Sequence, residues 1–195
     1  MLDLARKNAP QHLDNPAFQQ DMLQSLDDAL KRMAKVQTRL SALKEEMVPH
    51  IRPVALHELL RAHRDRFAQK MPNLDIAMEC PPDLSIQTDP DIIGQILENL
   101  LINAWEVGGG ETAVRIKVTA NSMIRIDLQD NGPGIQADLL PQALFAPFKS
   151  AKPNGSGIGL WQVRQLVESL RGDIQAQNIP EGVARFTLSF PNRNK

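Results

Sequence analysis

The sequence predicts an α+β protein: a mixed sheet with helices on one face, preceded by an α-helical hairpin. Three observations carry this. Several short runs alternate apolar and polar residues, as half-buried strands do, and Ile124-Arg125-Ile126-Asp127-Leu128 is the clearest. Longer runs between them place apolar residues every three or four positions, the period of an amphipathic helix. The N-terminal region holds one such run with neither Gly nor Pro from 17 to 48.

Residues 1 to about 13 read as the tail of a helix, with Leu2, Leu4 and Ala5 apolar. Asn8 to Asn15 is a polar break containing Pro10, and Pro16 stands where a new helix would start, with Asn15 as its N-cap. Met22, Leu23, Leu26, Leu30, Met33, Val36, Leu40, Leu43 and Met47 then form one near-heptad stripe. At 1.5 Å per residue this helix is ~45 Å long, and a single apolar stripe of that length needs a partner. The short first helix covers part of it, and a second copy of the chain covers the rest as a four-helix bundle. A helix lying across its own globular domain is the alternative, and the near-heptad spacing speaks against it.

Val48-Pro49-His50-Ile51-Arg52-Pro53 reads as a linker, its prolines preventing helix continuation, so the domains are 1–48 and 49–195. His57 to Gln69 reads as a helix with Leu59, Leu60, His63 and Phe67 on one face. Asp75 to Cys80 alternates as a strand ended by Pro81-Pro82, and Leu84-Ser85-Ile86 is a short one. Asp89 is a good N-cap with Pro90 at the first helical position, and that helix runs to about Val107, stopped by Gly108-Gly109-Gly110. Strands at about 112–120 and 123–129 flank a tight Asn121-Ser122 turn. Residues 136–156 form a long irregular segment. A helix from about 157 to 171 ends at Gly172, read as its C-terminal glycine. Ile174 to Asn178 and Ala184 to Phe190 close the chain as strands around Pro180-Glu181-Gly182.

Composition narrows the function classes. A chain of 195 residues with net charge -1 and pI near 6.4 suits one ordinary domain plus a smaller element, and gives no reason to expect nucleic-acid or membrane-surface binding. Cys80 is the only cysteine, which excludes an intrachain disulfide and fits a reducing, cytoplasmic compartment. No apolar run approaches the ~18 residues of a membrane span, so this segment is not membrane-inserted. Asp3, Arg6 and Lys7 interrupt any signal peptide. With no tyrosine, the core must be mostly Leu, Ile, Val and Met.

Three clusters carry candidate chemistry. Asp130-Asn131-Gly132-Pro133-Gly134-Ile135 follows the clearest strand, and its glycines let the backbone turn sharply and approach a flat ligand. A carboxylate there can accept a hydrogen bond from an exocyclic amine, which adenine has and guanine replaces with a carbonyl oxygen. Asn99 and Asn103 share one helix face at i and i+4, and two amide oxygens can hold a hard cation such as Mg²⁺. Gly155-Ser156-Gly157-Ile158-Gly159-Leu160 opens a helix, an anion site made by backbone N–H groups, with Lys149 and Lys152 just before it. Together they describe a pocket for ATP and Mg²⁺. Taken alone, the asparagines would read as satisfying buried backbone and the lysines as solvated loop charges. Phe145 and Phe148 read as hydrophobic anchors for the irregular segment. His12, His50, His57 and His63 show no metal-ligand pairing with one another or with Cys80.

As a set, in this order and on these element types, the motifs resemble those of the GHKL ATPase superfamily. The Asn99/Asn103 cluster resembles its asparagine box, Asp130-x-Gly132-x-Gly134 its first glycine box, and Gly155 to Leu160 its second. Leu144-Phe145-Ala146-Pro147-Phe148 resembles the phenylalanine box of the sensor histidine kinase branch, as opposed to the gyrase, Hsp90 and MutL branches. The likeness covers about residues 54 to 190. It implies the Bergerat α/β sandwich, preceded by the dimerisation and histidine-phosphotransfer hairpin of such kinases. It further implies that Asn103 ligates Mg²⁺, that Asn99 lies near the phosphates, and that Asp130 holds the adenine amine. Residues 136–156 would form a short lid, and Glu98 would face the phosphoacceptor histidine and polarise its imidazole. The implied partners are a second copy of the chain and the receiver domain of a response regulator. The run from Lys7 to Leu23 is also similar to that of the PEP-CTERM/exosortase-system kinases, the PrsK type. The resemblance leaves an inner-membrane anchor elsewhere in a full-length protein open.

Two departures from the family pattern stand out. The family's acceptor histidine sits on the first helix, and nothing before Asn8 is a histidine. His12-Leu13-Asp14-Asn15-Pro16 has the wrong spacing and falls in the hairpin turn, so the sequence is expected to begin just downstream of the acceptor and not to phosphorylate itself. Glu106 stands where many members carry Lys or Arg. Two other readings compete with a histidine kinase. One is a serine kinase of an anti-sigma system, against which the long hairpin argues. The other is a non-catalytic nucleotide-binding and dimerisation module, against which the intact glycines argue.

Overall fold

A computed structural model describes residues 19–27, 29–30, 48–71, 73–109, 111–140, 143–149, 157–180 and 183–192. The chain divides into two compact units, Met1–Glu45 and Glu46–Lys195. In the first, residues 19–27 and 29–30 are helical, and Leu23, Leu26 and Leu30 of the expected stripe stand exposed. The expected break at 8–16, His12 and the stripe beyond Leu30 lie outside the described residues.

The second unit is built around a five-stranded sheet. In chain order its elements are β1 (Arg52–Ala55), α1 (Leu56–Lys70), β2 (Leu74–Glu79), β3 (Ser85–Thr88), α2 (Pro90–Gly108), β4 (Thr112–Ala120) and β5 (Met123–Asp130). Two 3₁₀ turns follow, Ala137–Leu139 and Ala143–Phe145, and then α3 (Gly159–Ser169), β6 (Asp173–Asn178) and β7 (Ala184–Pro191). The sheet runs β2-β4-β5-β7-β6, with β2 parallel to β4 and the other neighbours antiparallel. Every second residue of β4, β5 and β7 is buried: Val114, Ile116 and Val118, then Ile124, Ile126 and Leu128, then Phe186, Leu188 and Phe190. A period of two puts them all on one face. There they meet Leu60 and Phe67 of α1, Ile93, Leu97 and Leu101 of α2, and Val163 and Leu166 of α3. Among the described residues the buried core is mostly Leu, Ile and Val, as expected, with four phenylalanines, Phe67, Phe145, Phe186 and Phe190; the methionines expected there are not in it, and Met71 and Met78 only pack against its edge.

The sequence missed β1. Arg52 and Pro53, read as linker, pair with Thr88 and Gln87 in a two-stranded antiparallel sheet. A proline marks a linker only where its missing N–H would break a ladder, and a two-stranded sheet consists of edges, where proline is tolerated. Of the stretch read as linker, only residues 48–51 lie outside the strand, and they are pinned at His50. Asp89 uses both carboxylate oxygens: Oδ1 accepts the N–H groups of Asp91 (2.9 Å) and Ile92 (3.3 Å), capping α2, while Oδ2 accepts the His50 N–H at 2.7 Å. Asp89 is only 5% exposed.

The end of α3 is a second correction. Arg171, not Gly172, takes the left-handed conformation (φ 59°). The Gly172 N–H still closes the helix on the Val167 carbonyl at 2.9 Å. Glycine is required there for space, because a Cβ would stand 2.7 Å from the Phe190 ring and 2.8 Å from the Ser189 carbonyl oxygen. Among the described residues, no helix is long and apolar enough to cross a membrane.

Candidate functional site

The site is assembled on one wall, α2. Asp130 closes β5 on the buried face of the sheet, in the same parity as Ile124, Ile126 and Leu128. Its Oδ1 accepts the Gly132 N–H at 2.8 Å, which fixes the carboxylate across the turn. Asn131 locks the same turn to β4: its N–H reaches the Ala113 carbonyl (3.1 Å), and its Oδ1 accepts the Ala113 N–H (2.9 Å). A Cβ on Gly132 would stand 2.9 Å from Asp130 Oδ1 and 3.4 Å from Val107 Cγ1 of α2. Gly134 (φ 79°) completes the turn in a conformation other residues rarely adopt. Burial pushes the Asp130 carboxyl above its usual range, and the Gly132 hydrogen bond offsets part of that. A buried carboxylate with one oxygen fixed across its own turn is a strong acceptor for an incoming N–H.

Two turns back along α2, Asn99 meets the start of α3. Its Nδ2 donates to the Gln95 carbonyl at 3.0 Å, so the amide presents Oδ1 outward. That oxygen would lie 3.4 Å from a Cβ on Gly159, the first residue of α3. Asn103 is half-buried one turn further on. An oxygen-first amide beside a helix N-terminus fits a hard cation that carries phosphate. The eight residue steps from Asn99 to Val107 separate the two glycine clusters by ~12 Å of helix axis.

The second cluster is described from Gly157 onward. Lys152, Gly155 and Ser156, predicted phosphate contacts, lie outside the described residues, while Gly157, Ile158, Gly159 and Leu160 are in place and Ile158 is buried. Gly157 (φ 64°) abuts the residues after the phenylalanine box: a Cβ would fall 2.6 Å from the Phe148 carbonyl carbon and 2.7 Å from Lys149 N. The Phe148 N–H donates to the Gly157 carbonyl at 2.9 Å. This makes a tight neck between Phe148 and Gly157. Lys149 is exposed at that neck. Of the two anchors expected from the sequence, Phe145 fills the core, beside Leu144, but Phe148 does not: it is 51% exposed. Its φ of 64° turns the backbone to meet Gly157 and carries the ring away from the core.

Glu98 faces a different side of α2 from Asn99, since successive helical residues diverge by about 100°. Arg66 of α1 lies across from it, Nη2 to Oε2 3.7 Å. Arg66 Nη2 is also 3.2 Å from His63 Nδ1, and the His63 ring packs where a Cβ on Gly94 would come within 2.8 Å. Burial, and then the Arg66 charge, hold His63 below its usual pKa, with Glu98 pulling the other way. His63 is thus a packed, largely neutral histidine between α1 and α2. Among the described residues, no three of His, Cys, Asp and Glu gather as a metal site.

Sequence reasoning passed over Asn178. Its Oδ1 accepts the Ile135 N–H and its Nδ2 donates to the Ile135 carbonyl, both at 2.7 Å. An asparagine at the end of a strand gives no signal for this, because the partner lies 43 residues away.

Comparison with known proteins agrees with this geometry. The family model described as "Histidine kinase-, DNA gyrase B-, and HSP90-like ATPase" matches residues 88–194. The sensor histidine kinase ZraS of Klebsiella oxytoca is 31% identical over 171 residues, which cover 82% of this chain and 37% of ZraS. The chain therefore spans little more than a third of that relative. The nucleotide-free catalytic domain of the histidine kinase ThkA superposes with a TM-score of 0.66 at 28% identity, covering 73% of this chain and 96% of that one. ThkA in complex with the response regulator protein TrrA gives a TM-score of 0.71 at 25% identity, over 95% of this chain and 55% of that one. The chain belongs to the histidine kinase-, DNA gyrase B- and HSP90-like ATPase family, and carries an ATP-binding catalytic domain homologous to those of sensor histidine kinases.

Proposed function

We propose that residues 49–195 bind ATP with Mg²⁺ and transfer its γ-phosphate to a histidine outside this sequence, from which it passes to the receiver domain of a response regulator. The observation that carries the reading is the shared wall: α2 touches the Asp130–Gly134 turn at Val107 and the start of α3 at Asn99. In this reading Asp130 accepts the adenine amine, with Gly132, Gly134 and Ile135 shaping the turn around the purine. Gly155, Ser156, Gly157, Ile158, Gly159 and Leu160, with Lys149 and Lys152, take the phosphates. Asn99 and Asn103 hold Mg²⁺, which neutralises phosphate charge when bound. Glu98 orients and polarises the acceptor imidazole. The solved complex of ThkA with TrrA supports a response regulator as partner. Residues 1–48 form part of a dimerisation hairpin, supported by the near-heptad stripe. The PrsK-type assignment rests on the run from Lys7 to Leu23 alone.

Calorimetry with ATP and GTP, each with and without Mg²⁺, tests the pocket. ATP should bind more tightly with Mg²⁺ and be preferred over GTP by a large factor, on the order of 10⁴ at well-formed sites. Equal affinity for GTP would remove the adenine role of Asp130. Acid-labile labelling from γ-labelled ATP should be absent from residues 1–195 and present in a longer kinase carrying the acceptor. Labelling on His12 would overturn the assignment of an outside acceptor.

A further inference from the structure

We infer that Asn178 is a positioning residue for purine selection: its side-chain amide brackets the backbone of Ile135 and thereby holds the Asp130–Ile135 turn in register. The inference rests on the ATP reading above. The turn is secured at its near end by Asn131, whose backbone and side chain bond Ala113 of β4. Its far end has no strand to join. β5 stops at Asp130, and Gly134 at φ 79° swings the chain away from the sheet. Asn178 supplies the missing ladder. Its amide offers one acceptor and one donor in the spacing of a peptide group, and engages the N–H and carbonyl of one residue at 2.7 Å each.

The topology makes this bond long-range. β6 is the outermost strand, with β7 between it and β5. Asn178 is the last residue of β6, paired with Ala184 at the start of β7. From there it reaches past the end of β7 to the segment leaving β5. The hairpin beyond it is closed by the Ile179 N–H on the Val183 carbonyl (3.0 Å), so the amide stands on a fixed base. Asp130 is thus placed from three strands: β5 carries it, β4 holds the turn through Asn131, and β6 holds it through Asn178. Asn178 need not touch the nucleotide. It sets where the Asp130 oxygen meets an exocyclic amine, so its loss falls on selection more than on phosphate binding.

The test compares ATP with ITP, which has a carbonyl in place of the amine, on the wild-type chain, Asn178→Ala and Asn178→Asp. Removing two solvent-facing hydrogen bonds should weaken ATP about tenfold and leave ITP unchanged, so the ratio of the two affinities falls about tenfold. Asn178→Asp has the same shape but sets an oxygen against the Ile135 carbonyl, and should lose at least as much. Thermal melts of both variants should stay close to wild type. An equal fall for both triphosphates, or wild-type affinity in Asn178→Asp, overturns the inference. Failure of the wild-type chain to bind ATP overturns the underlying reading instead.

Discussion

The Asp130 carboxylate accepts the Gly132 N–H at 2.8 Å, through the oxygen that a Cβ on Gly132 would approach to 2.9 Å. Acid and glycine are therefore one device, in which the bare backbone lets the carboxylate fold back across its own turn. Asp130→Asn keeps this hydrogen bond and removes the charge. Burial raises the carboxyl's pKa in the folded chain. A raised folded-state value means that the stabilising contribution of protonation is complete below the unfolded pKa and is lost as pH rises through the folded one. Asp130→Asn should thus match wild type in acid and melt higher at neutral pH, by about 2–4 °C for each kcal/mol of relief. ATP affinity should fall roughly 10–100-fold at the same time, as a charge-assisted hydrogen bond is lost. Melts across that pH range, with calorimetry at neutral pH, check both halves. A variant less stable at neutral pH would contradict the first.

Gly157 and Gly109 share a left-handed backbone, at φ 64° and 67°, but differ in what surrounds them. Among the described residues nothing lies within 4 Å of a Cβ on Gly109, while one on Gly157 would strike Phe148 and Lys149 backbone. Gly109→Ala should cost about 1 kcal/mol of stability through strain alone and leave ATP affinity intact. Gly157→Ala should cost more, break the Phe148–Gly157 neck and weaken ATP binding. Urea melts and calorimetry on both variants decide this. Equal losses would mean that the neck contributes nothing.

Where the sequence was legible, the signal was local. Asp89 followed by Pro90 announced a helix start, and the structure has Asp89 capping α2. The alternation at 124–128 announced a half-buried strand, and β5 buries Ile124, Ile126 and Leu128. The turn at Asp130 was readable from its glycines, and Phe145, read as an anchor, is buried. What was not legible depended on distant partners. Gly172 looks like a helix terminator, yet its lack of a side chain serves the Phe190 ring. Phe148 has the composition of a core residue, but its backbone bond to Gly157 decides its direction. Asn178 and β1 matter only because of Ile135 and β3, and neither pairing leaves a pattern in its own neighbourhood.

Thr112 opens β4 with its hydroxyl buried and, among the described residues, without a hydrogen-bond partner, packed over Gly108 at the end of α2. A buried unsatisfied hydroxyl costs about 1–3 kcal/mol, and valine has nearly the same shape. Thr112→Val should therefore stabilise the fold by about 1 kcal/mol, read as a higher urea midpoint with an unchanged slope. ATP affinity should not change, since no part of the turn at Asp130 bonds that hydroxyl. A destabilised variant would show that the hydroxyl is satisfied in solution.

Glu98 and Arg66 separate binding from transfer. They lie 3.7 Å apart with both side chains nearly half exposed, so the pair itself adds at most ~1 kcal/mol. Asn99, the next residue, turns toward α3, whereas Glu98 turns toward α1. A role for Glu98 must therefore concern something that approaches from outside the nucleotide pocket. In a kinase that contains the acceptor histidine, Glu98→Ala should slow phosphorylation by ~10²–10⁴-fold and leave ATP affinity nearly unchanged. Asn103→Ala should abolish labelling, as it removes an oxygen proposed to hold Mg²⁺. Arg66→Ala should change stability little and slow transfer less than Glu98→Ala, because it removes only a group that steers the carboxylate. The decisive data are paired, with nucleotide affinity and phosphorylation rate measured for each variant. If Glu98→Ala weakens ATP binding as much as it slows transfer, Glu98 belongs to the nucleotide pocket and its contact with Arg66 is only a surface ion pair.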